Sequence, residues 1–116
     1  MIRIVFACFA ILLGLGSTAS AHAILVEAVP PVRGSIAGPE VVFRLKFNSR
    51  IDAARSTLTL LLPDGRMLTL ALADQPSPDT LTARSAHLRA GRHTLRWQVL
   101  AADGHITRGE VPFDIR

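Results

Sequence analysis

Tyrosine is absent from this 116-residue chain, and tryptophan, lysine and cysteine occur once each, as Trp97, Lys46 and Cys8. Each scarcity removes a class of function. With one cysteine no intramolecular disulfide can form, so the fold must rest on its apolar core. Cys8 lies near the N-terminus inside an apolar run, which leaves the rest of the chain without a thiolate for metal binding or nucleophilic attack. The lack of tyrosine beside a single tryptophan argues against a flat aromatic face for sugars. No Gly-x-Ser-x-Gly elbow and no glycine-rich phosphate loop occurs. No segment of useful length carries a helical apolar period.

What is present begins with an address. Met1-Ile2-Arg3 is a basic start, Ile4 to Leu15 is apolar apart from Gly14, and Gly16 to Ala21 are small residues ending in Ala-Ser-Ala. That order is the pattern of a secretory signal peptide. The run falls short of the about 20 apolar residues a spanning helix needs. Cys8 sits mid-run, which excludes a lipoprotein anchor. Residues 1–21 are therefore expected to be cleaved, leaving one domain over residues 22–116 outside the inner membrane. Cleavage after Ala21 frees His22 as the first residue. A competing site after Ala23 would free Ile24, but it places a bulky imidazole between the alanines.

With Arg3 removed, 12 basic and 9 acidic residues leave a formal charge of +3. The cations are spread along the chain and alternate with apolar residues. That is the pattern of solvated strand faces rather than of a nucleic-acid stripe.

Alternation with a period of two runs through the mature chain. It is clearest at Val41-Phe43-Leu45-Phe47, Leu58-Leu60-Leu62, Leu68-Leu70-Leu72, Leu95-Trp97-Val99 and Val111-Phe113-Ile115. Ala23–Val29 and Thr80–Ala86 bring the expected strands to about seven, separated by turn-rich stretches such as Pro63-Asp64-Gly65-Arg66. Short strands at this spacing predict an all-β fold, an immunoglobulin-like or cupredoxin-like Greek-key sandwich or small barrel. Trp97 is expected to anchor its core.

The chemistry rests on histidine. A histidine at a free N-terminus offers its α-amine and its Nδ1 to one metal in a six-membered chelate ring. An internal histidine cannot do this, because its backbone nitrogen is an amide. The second feature is Asp103-Gly104-His105, in which glycine lets the backbone bend so that carboxylate and imidazole face one point. Asp64-Gly65 is the same turn dipeptide followed by Arg66, so the histidine carries the signal. Amine, two imidazoles and a carboxylate make a three-nitrogen, one-oxygen set. This set suits tetragonal Cu(II), while zinc would take the same atoms in a tetrahedron. His87 and His93 lie at or before the start of the strand that Asp103–His105 follows, and are read as structural histidines at the opposite pole.

Several segments together resemble the CopC family of periplasmic copper-binding proteins. They are His22 after a signal peptide, Val29-Pro30-Pro31-Val32-Arg33-Gly34-Ser35-Ile36, Val42 to Asn48, Gly91 to His105 and Arg108 to Phe113. The resemblance implies a β-sandwich of copper homeostasis or resistance that binds and carries copper rather than an enzyme. It implies one Cu(II) per chain held by His22, Asp103 and His105. Delivery to a CopD-like inner-membrane copper transporter or to a secreted copper enzyme is also implied. Some members add a methionine-rich Cu(I) site, whereas here only Met67 would remain after cleavage. Two alternatives stand beside this reading: a small copper-dependent oxidative enzyme with an N-terminal histidine, and a metal-free immunoglobulin-like scaffold.

Overall fold

The computed structural model describes residues 22–116; the expected signal peptide lies outside them. Eight strands follow in order: β1 (Leu25–Val29), β2 (Ser35–Ile36), β3 (Val41–Phe47), β4 (Ile51–Leu61), β5 (Met67–Leu70), β6 (Thr80–Ser85), β7 (Gly91–Ala101) and β8 (Ile106–Ile115). A two-sheet, all-β sandwich is what the alternation predicts, and it is what forms. One sheet has the order β1-β3-β6 and the other β2-β8-β7-β4-β5. Among the described residues no helix is long and apolar enough to cross a membrane.

Side chains on a strand point alternately to its two faces, so a strict apolar period of two buries one face completely. Strand β3 follows this rule along its length. Val41, Phe43, Leu45 and Phe47 are buried, and Val42, Arg44 and Lys46 are exposed. In the opposing sheet His93, Leu95, Trp97, Val99 and Ala101 of β7 turn inward. Two aromatic pairs lock the layers together in edge-to-face geometry. Phe43 meets Phe113 with ring centres 5.7 Å apart, and Phe47 meets Trp97 at 5.1 Å. Such pairs contribute about 0.5–1.5 kcal/mol each beyond the area they bury. In a chain with no available disulfide they fix how the two sheets face each other.

Trp97 needs a partner without a side chain. Its neighbour across the β7–β8 ladder is Gly109. A Cβ on that glycine would lie 2.3 Å from the indole Cζ2, well inside contact distance. The tryptophan is therefore seated on bare backbone, which is why Arg108-Gly109-Glu110 interrupts an otherwise side-chain-rich strand.

Three details depart from the alternation. Ser35–Ile36, which lies outside the alternating segments, pairs parallel with Asp114–Ile115. Strand β4 begins at Ile51, before the alternation becomes visible at Leu58, and its register against β7 shifts between Asp52 and Thr57. There Ser56 Oγ donates to the Asp52 carbonyl at 2.6 Å and accepts from Leu100 N–H at 3.2 Å, bridging the irregularity. Strand β8 begins at Ile106, five residues before the apolar alternation becomes visible at Val111.

Candidate metal centre

The ends of the strands bring together residues that are far apart in sequence. Strand β7 ends at Ala101, and Ala102 to His105 turn the chain into β8. The turn closes through Gly104 N–H to the Ala101 carbonyl and Ala101 N–H to the His105 carbonyl, both at 2.9 Å. Gly104 has φ +84°, a left-handed conformation that favours glycine, and the space around it is open. Gly65 adopts the same left-handed form at φ +88°, so the two Asp-Gly turns share a backbone device and differ in the residue that follows.

Asp103 is folded onto His105. Its Oδ1 accepts the His105 backbone N–H at 3.0 Å, and its Oδ2 lies 2.8 Å from the His105 Nδ1. These two contacts, the backbone one first, hold the Asp103 carboxyl below the usual carboxylate range. The carboxylate can only accept, so Nδ1 carries the proton of this bond and Nε2 keeps its lone pair. A metal-bound imidazole is commonly oriented in this way, its second nitrogen tied to a carboxylate.

His22 reaches this loop from the other side. Ala23 is a core residue with 1% exposure, and Ile24 is hydrogen bonded to Asn48 through both its N–H and its carbonyl. That anchors the chain directly before β1 and leaves His22 exposed at the rim. The His22 and His105 rings stand with centres 5.1 Å apart and planes at 68°. Two imidazoles bound at about 2.0–2.1 Å to one ion have ring centres within roughly 6 Å of each other. The ring separation is within the range that two imidazoles on one ion span.

The set is not closed by side chains alone. Among the described residues no three His, Cys, Asp or Glu side chains are grouped to hold a metal ion by themselves. Both Asp103 oxygens are engaged with His105, and the donor that would complete the set, an α-amine on His22, exists only once the chain begins there. Of the three residues picked out from sequence, the His22 and His105 rings are brought edge-on to each other, and Asp103 is brought to His105.

The other two histidines are elsewhere. His93 is buried at the far end of β7, its ring stacked on Phe113 with centres 5.6 Å apart. Its Nδ1 donates to the Gly91 carbonyl at 3.0 Å, and its Nε2 is buried without a partner among the described residues. His87 is exposed in the loop before β7 with φ +59°. Both line a cavity of about 250 Å³ with Leu62, Pro63, Asp64 and Leu88. The length of β7 separates this pole from His105, as the strand spacing predicts.

The sequence assigns no role to Asn48, or to Arg50, whose carbonyl accepts the Ala102 N–H at 3.1 Å. A polar residue directly after a strictly alternating strand was the available signal, but it is equally the mark of an ordinary turn.

Comparison with known proteins bears on this geometry. The CopC domain family matches residues 25–116. Among solved structures, CopC from Methylosinus trichosporium OB3b superimposes with a TM-score of 0.75 at 27% identity, covering 81% of this chain and 93% of that one. PcoC, a methionine-rich copper resistance protein from Escherichia coli, gives 0.64 at 22% identity, covering 83% of this chain and 100% of its own. The latter likeness is one of fold. No curated protein matches the chain.

Proposed function

The chain belongs to the CopC family, and we propose on that basis that it is a periplasmic copper protein holding one Cu(II) ion at the pole where His22 meets His105. The observation that carries this reading is the approach of those two imidazoles, 5.1 Å between ring centres, from opposite ends of the domain's sequence. The proposed donors are the His22 α-amine and Nδ1, the His105 imidazole and the Asp103 carboxylate. Copper is cargo here, and the role is that of a buffer or carrier in copper homeostasis or resistance. The chemistry of the set supports Cu(II): three nitrogens and one oxygen suit a tetragonal ion at the top of the divalent affinity order.

Several features support the supporting steps. Cleavage of residues 1–21 yields the required free amine, and the burial of Ala23 favours the cut before His22. A cut after Ala23 would delete a core residue. A non-catalytic role agrees with the aromatic side chains, since Phe43, Phe47, Trp97 and Phe113 all lie in the core and none offers a platform to a polymeric substrate. The transfer partner is proposed to be a CopD-like inner-membrane transporter or a secreted copper enzyme.

The test is the intact mass and metal content of protein recovered from the periplasm. The expected result is a chain starting at His22 that takes up one equivalent of Cu(II). A chain starting at Ile24, or one that stays metal-free in excess Cu(II), defeats the reading.

A further inference from the structure

Both backbone polar atoms of Ile24 are held by a single residue. Asn48 Oδ1 accepts the Ile24 N–H at 2.8 Å, and the Asn48 N–H donates to the Ile24 carbonyl at 3.0 Å. The fold does not require the first of these. Ile24 is 61% exposed, so water could satisfy its N–H. What the carboxamide adds is restraint on the peptide bond joining Ile24 to Ala23, one residue from His22. Ala23 is pinned in the core on that same peptide.

The turn that carries Asn48 also holds the other half of the metal pole. Two residues on, the Arg50 carbonyl accepts the Ala102 N–H at 3.1 Å. Ala102 directly precedes Asp103. The three-residue turn Asn48-Ser49-Arg50 thus grips the chain two residues after His22 and one residue before Asp103. The grip on the loop is backbone to backbone, which any residue at position 50 can supply. The grip on the N-terminal segment uses a side chain, so identity matters at position 48.

We propose that Asn48 is a positioning residue for the N-terminal copper chelate: its carboxamide fixes Ile24, and through Ala23 sets where the His22 amine and imidazole stand relative to His105. This rests on the reading of His22 and His105 as Cu(II) ligands. Asn48 touches no proposed ligand. It acts by reducing the freedom that a chain terminus otherwise has and that metal binding would have to remove.

The experiment uses the mature chain from His22, with Cu(II) affinity from chelator competition and the Cu(II) EPR spectrum as readouts. Asn48→Ala is expected to fold, because the side chain is exposed, and to weaken Cu(II) binding about tenfold, the low end for a residue supporting a ligand. Its EPR spectrum should broaden or split into two species. Asn48→Asp keeps the oxygen acceptor and should restore most of the affinity. In a His22→Ala background Asn48→Ala should cost nothing further, because the residue it acts through is gone. An equal loss in both backgrounds overturns the positioning role, as does unchanged affinity and spectrum in Asn48→Ala while His22→Ala and His105→Ala are strongly impaired. In that last case the copper reading stands alone. If His22→Ala and His105→Ala also bind normally, both ideas fall together.

Discussion

His105 Nδ1 and Asp103 Oδ2 lie 2.8 Å apart across the glycine that separates them, and the imidazole is thereby committed to one tautomer. The proton sits on Nδ1, and the lone pair on Nε2 points away from the carboxylate. Asp103 orients the imidazole through this contact, which the two groups would exchange for the metal on binding one ion together. The bend through Gly104 makes this possible, because both contacts span only two residues.

One consequence concerns which histidines matter. His105→Ala should weaken Cu(II) binding by at least about tenfold, the range for losing a ligand or its support. His87→Ala and His93→Ala should leave affinity within error, since the length of β7 separates them from the site. Chelator competition on the three variants checks this, with circular dichroism to exclude unfolding in the buried His93 variant. Equal losses in all three would show that the two poles are not independent.

A second concerns stoichiometry. Titration should find one Cu(II) per chain and no tight Cu(I) site. Soft Cu(I) favours thioether and thiolate ligands, and Met67, half exposed on β5, is the one sulfur among the described residues. Parallel titrations under air and under reductant decide it. A tight Cu(I) complex would point to imidazoles acting in place of sulfur, with His87 and His93 the first to examine.

Much of the fold could be read from period-two alternation, and the reason is visible in β3 and β7. Where one face is fully buried and the other solvated, the pattern is forced by the core. The signal failed where other forces set the structure. Ser35–Ile36 is too short to show a period and is held by ladder bonds to β8. The start of β4, Asp52-Ala53-Ala54-Arg55, lies in a register irregularity held by Ser56 rather than by apolar burial. At the proposed site, His22 and Asp103–His105 stand out as candidates in the sequence because their chemistry is local: a chain terminus and a two-residue bend. The Asn48 contact with Ile24 was not, because it depends on the packing of β1 against β3, which no local pattern encodes.

The third prediction tests the core. Gly109→Ala should be strongly destabilising even though Gly109 has no left-handed φ to lose. The new methyl would lie 2.3 Å from the Trp97 ring, which is 7% exposed and packed against Phe47. Overpacking of this kind typically costs about 1–3 kcal/mol. Denaturant unfolding of the variant should show a lower midpoint and altered tryptophan fluorescence, since Trp97 is the single tryptophan. An unchanged midpoint would mean that the indole can move off β8 at little cost.

The last prediction joins the chelate to proton competition. Every proposed ligand must be deprotonated to bind, so protons compete with copper. The ordinary pKa values are about 7.7–8.0 for an α-amine, 6.5 for imidazole and 3.9 for aspartate. Asp103 is held below its ordinary range by the His105 backbone and ring, so the carboxylate is the donor least affected by acid. Affinity should therefore fall as pH drops, driven by proton competition at the nitrogen donors. Blocking the amine at constant pH should reproduce much of that loss. A Gly-Ser extension before His22 does so: it turns the amine into an amide and moves the free terminus away. Ala23 and the Asn48 contacts to Ile24 lie on the far side of His22 from the extension, so the fold should be indifferent to it. The expected outcome is a folded protein with the same circular dichroism, weaker Cu(II) binding, an altered EPR spectrum and a flatter pH dependence near neutrality. Unchanged affinity and spectrum in the extended chain would mean that His22 contributes at most its imidazole, and the N-terminal chelate would have to be abandoned.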